Sequence, residues 1–130
     1  MEDKKRIFIA DDDIIALDSL KKLLEISGYV VQAVSNAKDI LTAIKAFNPH
    51  IILLDLLMPS IGGLEICQML NQEPKTQGIP IIVISGLSGF ADIEKTYKMG
   101  VLNYITKPYD FNKLLQEIKK IIASKEGVGI

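Results

Sequence analysis

The run His50-Ile51-Ile52-Leu53-Leu54-Asp55 narrows the fold more than any other stretch of this chain. Four consecutive Ile and Leu side chains, between Asn48-Pro49 and Met58-Pro59, leave the segment no polar face. Such a run suits a strand covered on both sides, as in a parallel sheet with helices above and below. Asp55 then stands at the strand's carboxyl end, the edge of an open α/β sheet where ligands bind. A strand-terminal Asp also caps the following turn through backbone N–H groups, so the residue alone supports either role.

The same pattern repeats along the chain. Ile7-Phe8-Ile9-Ala10 is a second apolar run, and it stops at Asp11-Asp12-Asp13. Three adjacent carboxylates repel one another at a sheet edge unless a cation or water takes up the charge. Asp13 is suited to cap a helix with Ile14, Leu17, Leu20 and Leu24 on one stripe, widened by Leu23 and closed by Gly28. Capping leaves Asp11 and Asp12 without a use.

Tyr29 to Val34 is β-rich, and a helix follows with Asn36 and Asp39 at its start, Ile40, Leu41, Ile44 and Phe47 on its face, and Asn48-Pro49 at its end. After Asp55 a Pro- and Gly-containing loop, Leu56 to Gly63, leads into a helix from about Leu64 to Leu70. Ile79 to Ile84 is the fourth expected strand, ending in Ser85. Phe90 to Met99 is a helix with a weaker stripe of Phe90, Ile93 and Tyr97. Val101 to Thr106 is the fifth strand and runs into Lys107-Pro108. Asp110 caps a last helix carrying Phe111, Leu114, Leu115, Ile118, Ile121 and Ile122. The sole histidine, His50, has no second ligand at metal spacing.

Strands and helices in strict alternation predict an α/β doubly wound, five-stranded parallel sheet with right-handed crossovers and helices on both faces. One domain is expected over residues 1–123, with 124–130 as a tail or the start of a linker; 130 residues suffice to bury roughly two thirds of the unfolded surface. A net charge of -1 gives no electrostatic reason to expect nucleic acid or anionic membrane as a partner. A single cysteine, Cys67, suits a reducing compartment, and no apolar run approaches membrane-spanning length, so a cytoplasmic protein is expected.

If every strand runs the same way, Asp11, Asp12, Asp55, Ser85 and Lys107 meet on one edge. Carboxylates and a hydroxyl without Cys or a His pair favour magnesium, which shares its shell with water and phosphate oxygens. A carboxylate there can act as a nucleophile toward phosphorus, giving an acyl phosphate, if a cation and a lysine neutralise the transferred group.

With Asp11-Asp12 after the first strand, Asp55 after the third, Ser85 after the fourth and Lys107-Pro108 after the fifth, the chain resembles response-regulator receiver domains over nearly its whole length. The Met-Pro and Gly-Gly pairs after Asp55 add to the likeness. The resemblance implies a flavodoxin-like sheet of order 2-1-3-4-5, and a phosphorylation-dependent switch in two-component phosphorelay signalling that catalyses only its own phosphoryl transfer and dephosphorylation. It makes Asp55 the phosphoacceptor, supplied by a phosphohistidine on a sensor histidine kinase or histidine phosphotransfer protein. Mg2+, with Mn2+ as a substitute, would be held by Asp11, Asp12, Asp55 and the backbone carbonyl of Leu57. Lys107 would pair with phosphoryl oxygens, Ser85 would move to hydrogen-bond one of them, and Tyr104 would turn with it as the switch aromatic. Lys107-Pro108 matches the family's cis peptide. Output would pass to a downstream protein or a fused effector domain, with no direct nucleic acid or membrane binding by this domain.

Three positions depart from the common pattern: Gly62 where many members carry an acid, apolar Leu57 beside the phosphoacceptor, and Val101-Leu102-Asn103 in place of a more acidic segment. Other uses of the same edge compete with the switch. A phosphatase-like hydrolase working through an aspartyl phosphate needs a second acid near the nucleophile, where Asp55-Leu56-Leu57 has leucine. A flavin carrier needs a glycine- or hydroxyl-rich phosphate cradle, and Asp11-Asp12-Asp13 would repel one. A receiver that has lost its chemistry would serve as a scaffold, which the intact set of acids, hydroxyl and lysine argues against.

Overall fold

The computed structural model describes residues 4–57, 62–87 and 89–125. Five strands and five helices alternate: β1 Arg6–Ala10, α1 Ile14–Ile26, β2 Val30–Val34, α2 Ile40–Phe47, β3 Ile51–Leu54, α3 Gly63–Gln72, β4 Ile81–Ser85, α4 Phe90–Lys98, β5 Asn103–Thr106 and α5 Phe111–Lys125. All ladders are parallel and the order is β2-β1-β3-β4-β5, as expected. The expected turn at Met58-Pro59-Ser60-Ile61, and Ser88, lie outside the described residues, as does 126–130.

Side chains alternate across the sheet, so each strand feeds two cores. Phe8, Ala10, Ile52, Leu54, Ile81 and Val83 face one side and pack with Ile40 and Ile44 of α2 and Ile66, Cys67 and Leu70 of α3. Ile7, Ile9, Ile51, Leu53, Ile82 and Ile84 face the other and pack with Leu17, Leu20 and Leu24 of α1 and Leu114, Ile118 and Ile121 of α5. Each fully buried Ile or Leu contributes roughly 1.5–3 kcal/mol of transfer free energy. That explains why the buried stretches of the central strands, residues 7–10, 51–54 and 81–84, carry no polar residue until they emerge at the carboxyl edge.

Caps fix where the helices begin and end. Asp13 accepts hydrogen bonds from the N–H groups of Ile15 and Ala16, each at 3.1 Å, and Gly28 at φ +103° turns the chain out of α1. Asp110 accepts from Asn112 N–H at 2.8 Å at the start of α5. In α2 the expected side-chain cap is absent. Asp39 sits at the N-cap in a left-handed conformation and makes no cap bond, while Asn36 accepts from Lys38 N–H at 2.9 Å in the preceding turn.

Several expectations are corrected. Ile14 matches the stripe of α1 in period but, as the helix's first residue, is 68% exposed, and burial begins a turn later at Leu17; Leu23 is exposed too. In α4 the expected stripe fails in the same way. Phe90 is 81% exposed and Tyr97 exposed, and the helix instead buries Thr96, whose hydroxyl is satisfied by the Ile93 carbonyl at 2.6 Å. Val101 is buried but stands outside the ladder, so β5 starts at Asn103. The last helix includes Ser124 and Lys125, and Lys125 Nζ donates to the Gly78 carbonyl at 2.9 Å. His50 serves the fold: its Nδ1 accepts the Arg6 N–H at 2.9 Å and fastens the start of β1 to that of β3. Among the described residues no helix is long and apolar enough to cross a membrane.

Candidate functional site

The register of the ladders brings the acids together. Ala10 lies opposite Leu54 in the β1–β3 pair, so Asp11 and Asp55 are the next residues on neighbouring strands. Asp55 N–H donates to the Ala10 carbonyl at 3.0 Å and Asp11 N–H to the Val34 carbonyl at 3.2 Å. Here the chain order reverses direction across the sheet, leaving a crevice at the strands' carboxyl ends. Ligand oxygens of Asp11, Asp12 and Asp55 lie within 4.8 Å of one another.

Lys107 closes the cluster. Its Nζ is 2.8 Å from Asp11 Oδ2 and 3.1 Å from Asp55 Oδ2. The lysine is brought there by the end of β5, where its N–H donates to the Ser85 carbonyl at 2.8 Å, and its bond to Pro108 is cis as the resemblance implied. Two carboxylates therefore share one ammonium, with the third, Asp12, beside them. Asp55 is 5% exposed, and that burial raises its pKa; the Leu57 N–H bond and Lys107 oppose the shift without cancelling it, and the charge of Asp11 adds to it. For Lys107, burial pulls downward, but the two carboxylates outweigh it and the pKa is raised. Acidic and oxygen-only, with Asp55 buried, Asp11 half-buried and Asp12 open to solvent, this donor set is of the kind that takes a hard divalent cation.

Asp55 has its two oxygens in different environments. Oδ1 accepts the Leu57 N–H at 3.0 Å, and Oδ2 faces Lys107. Asp12 is exposed, while Asp11 Oδ1 accepts the Asp13 N–H at 3.0 Å, joining the acid pair to the α1 cap. Ser85 is buried and its Oγ accepts the Leu87 N–H at 3.2 Å. Tyr104 is half-buried, and its hydroxyl donates to the Leu87 carbonyl at 2.5 Å, so Ser85 and Tyr104 hold the same residue from opposite sides. Leu57 leaves its side chain half exposed.

Sequence reasoning missed Tyr109. A cavity of about 30 Å³, room for a single water, lies beside the cluster and is lined by Asp11, Asp55, Lys107, Leu17, Ile84 and Tyr109. Burial pushes the Tyr109 hydroxyl pKa up, with Lys107 opposing and Asp11 adding. Its place directly after Lys107-Pro108 was the one available sign. Cys67, buried in the core with its thiol pushed up to about 12 by that burial, stands apart from the chemistry.

Residues 7–119 match the family model of the response regulator receiver domain. The chain belongs to that family. Receivers are the phosphoreceiving switches of two-component signalling rather than classical enzymes. The chain is 33% identical over 118 residues to the DNA-binding dual master transcriptional regulator RpaA of Synechocystis, covering 90% of this chain and 48% of that one. It is 26% identical over 116 residues to the DNA-binding response regulator MtrA of Mycobacterium tuberculosis, covering 89% of this chain and 50% of that one. It thus spans about half the length of these curated relatives. Among solved structures, a receiver domain protein from Methanospirillum hungatei superposes with a TM-score of 0.90 at 30% identity, over 98% of this chain and all of that one.

Proposed function

We propose that Asp55 of this receiver accepts a phosphoryl group from a phosphohistidine and that the event is reported through Ser85 and Tyr104. The observation that carries the reading is the Lys107 ammonium held between Asp11 and Asp55, at 2.8 and 3.1 Å, beside a third acid within 4.8 Å. Asp55 is the most buried of the three, and its raised pKa marks a carboxylate poorly solvated in its charged form, which suits a nucleophile. An Asp55 oxygen attacks phosphorus, a P–O bond forms, the P–N bond breaks, and its electron pair stays on the imidazole, which takes up a proton to leave neutral.

Asp11, Asp12, Asp55 and the Leu57 carbonyl would hold Mg2+, or Mn2+ in its place, supplying positive charge against the transferred group. Lys107 then leaves its carboxylate partners in part to pair with a phosphoryl oxygen. The Ser85 hydroxyl bonds another, giving up the Leu87 N–H. Because Tyr104 is tied to Leu87, that exchange reaches the β5 surface. Apolar Leu57 offers no group to steer a hydrolytic water, which favours a long-lived phosphorylated form.

The donor is a sensor histidine kinase or a histidine phosphotransfer protein, in the cytoplasm, and the output passes to a downstream protein or a fused effector. Relatives twice as long that are DNA-binding regulators support the latter. The receiver unit occupies residues 1–123, with a tail or linker from 124, where α5 nears its end. The test is phosphate incorporation from acetyl phosphate, with and without magnesium, read by intact mass on the protein and on Asp55→Asn. A magnesium-dependent gain of one phosphate, lost in the variant, is expected. No gain, with no magnesium binding by titration, would leave a receiver-shaped scaffold.

A further inference from the structure

Gly63, the first residue of α3, is buried against the segment that carries Asp55. A Cβ placed on it would lie 2.4 Å from Leu56 Cα, 2.9 Å from Leu56 Cδ2 and 3.0 Å from the Asp55 carbonyl oxygen. Ordinary carbon contacts begin near 3.4 Å, so a methyl group there would overlap Leu56 Cα by about 1 Å, and the atom concerned is backbone. Gly63 has helical backbone angles, so alanine meets a steric objection there and no conformational one. Its N–H also donates to the Leu56 carbonyl at 3.0 Å. Gly62 differs: a Cβ there meets only the Glu65 carboxyl, at 3.8 Å.

We propose that Gly63 is a positioning residue for the phosphoryl site, its missing side chain letting α3 close onto residues 55–57 and set the Asp55 carboxylate and Leu57 carbonyl against Asp11 and Asp12. The inference rests on the reading of Asp55 as phosphoacceptor. Leu54 is fixed by pairing with Ala10 on one side and Val83 on the other, and α3 is fixed by Ile66, Cys67 and Leu70 in the core. The give forced by a methyl group therefore falls on residues 55–57, which carry the atoms it would meet. Among the described residues that stretch is tied by Asp55 N–H to the Ala10 carbonyl, Lys107 Nζ to Asp55 Oδ2, Leu57 N–H to Asp55 Oδ1, and Gly63 N–H to the Leu56 carbonyl. Hard-cation sites accept oxygen displacements of about 0.2 Å, and a misplacement of about 1 Å costs on the order of a hundredfold in rate. A methyl group at residue 63 is thus too large for the site to absorb.

The experiment compares Gly63→Ala and Gly62→Ala with the parent chain. Cooperative thermal unfolding checks the fold, calorimetric titration gives the magnesium affinity, and intact mass gives the rate of phosphate uptake from acetyl phosphate per folded molecule. Gly63→Ala is expected to weaken magnesium binding about tenfold and slow uptake by roughly ten- to a hundredfold, while Gly62→Ala stays within about twofold. A folded Gly63→Ala that binds magnesium and takes up phosphate like the parent overturns the proposal, as does one that loses only melting temperature. If Gly63→Ala does not fold, Leu56→Ala decides, since it removes the Cδ2 atom packed under Gly63 without adding any. It is expected to weaken both readouts several-fold, and parental values overturn the proposal. Should the parent itself bind magnesium but take up no phosphate, the phosphoacceptor reading fails while the magnesium arm still judges Gly63.

Discussion

The β1–α1–β3 side of the molecule and the β4–α4–β5 side are built to different standards. On the first, α1 has a side-chain cap from Asp13 and buries Leu17, Leu20 and Leu24, and every β3 residue is buried. On the second, α4 starts at Gly89 with no side-chain cap, buries only Thr96 and leaves Phe90 in solvent, and β5 is an edge strand with no buried residue. Asp11, Asp12 and Asp55 come from the first side, Ser85, Tyr104 and Lys107 from the second. Chemistry that needs fixed oxygens is mounted on the stiff half; of the two groups proposed to report it, Ser85 ends the fully buried β4, while Tyr104 lies on the half-buried edge strand, where few buried contacts oppose movement. Lys107 belongs to the compliant half but makes its ion pairs in the stiff one.

Severing that link is the strongest way to break the comparison. Lys107→Ala is expected to leave phosphate uptake measurable, because nucleophile and acid pair remain, while abolishing its effect on β4–α4–β5. Amide exchange across Leu87 to Thr106 should change on phosphorylation in the parent and not in the variant. A response in both would show that the coupling runs through Ser85 alone.

The difference in packing is tested next. Leu24→Ala removes a fully buried side chain and should cost about 2–5 kcal/mol in denaturant unfolding. Phe90→Ala removes more atoms but from solvent, and should stay within about 0.5 kcal/mol. Comparable losses would mean that Phe90 is covered by something that binds it. Tyr104→Phe falls between, at about 1 kcal/mol for the hydroxyl bond to the Leu87 carbonyl.

These contrasts also mark what could be read from the sequence. The central strands were legible because β1, β3 and β4 are built on apolar runs bounded by turn residues, and the edge strands β2 and β5 by their β-branched and aromatic residues; the site was legible because parallel strands must present their carboxyl ends together. Asp13 and Asp110 announced helix starts by residue type. Periodicity, however, gives a face and not its neighbour, so Ile14 and Phe90 matched a stripe and still ended in solvent. Tyr104's partner is a backbone carbonyl 17 residues away, which no residue type announces. The closeness of Gly63 to Leu56 was equally silent: the sequence shows a glycine pair in a turn, and only the packing of α3 on β3 distinguishes one glycine from the other.

The smallest expected effect probes whether the stiff half is strained. Asp55 has a folded-state pKa above that of an ordinary carboxylate, so the folded state holds this proton more tightly than the unfolded one. Ionising Asp55 as pH rises through that range therefore costs the metal-free fold stability. Asparagine never ionises, and Lys107 keeps Asp11 at 2.8 Å as its partner. Without metal, Asp55→Asn should melt higher than the parent at neutral pH, by on the order of a few degrees, and the gap should close in acid, where the parent carboxyl is protonated as well. Magnesium should reverse the order, since a cation bound by the folded parent raises its stability by linkage and the variant has lost a ligand. A variant that melts lower than the parent at neutral pH without metal would mean that the Asp55–Lys107 bond outweighs the buried charge, making the acid site a relaxed part of the scaffold.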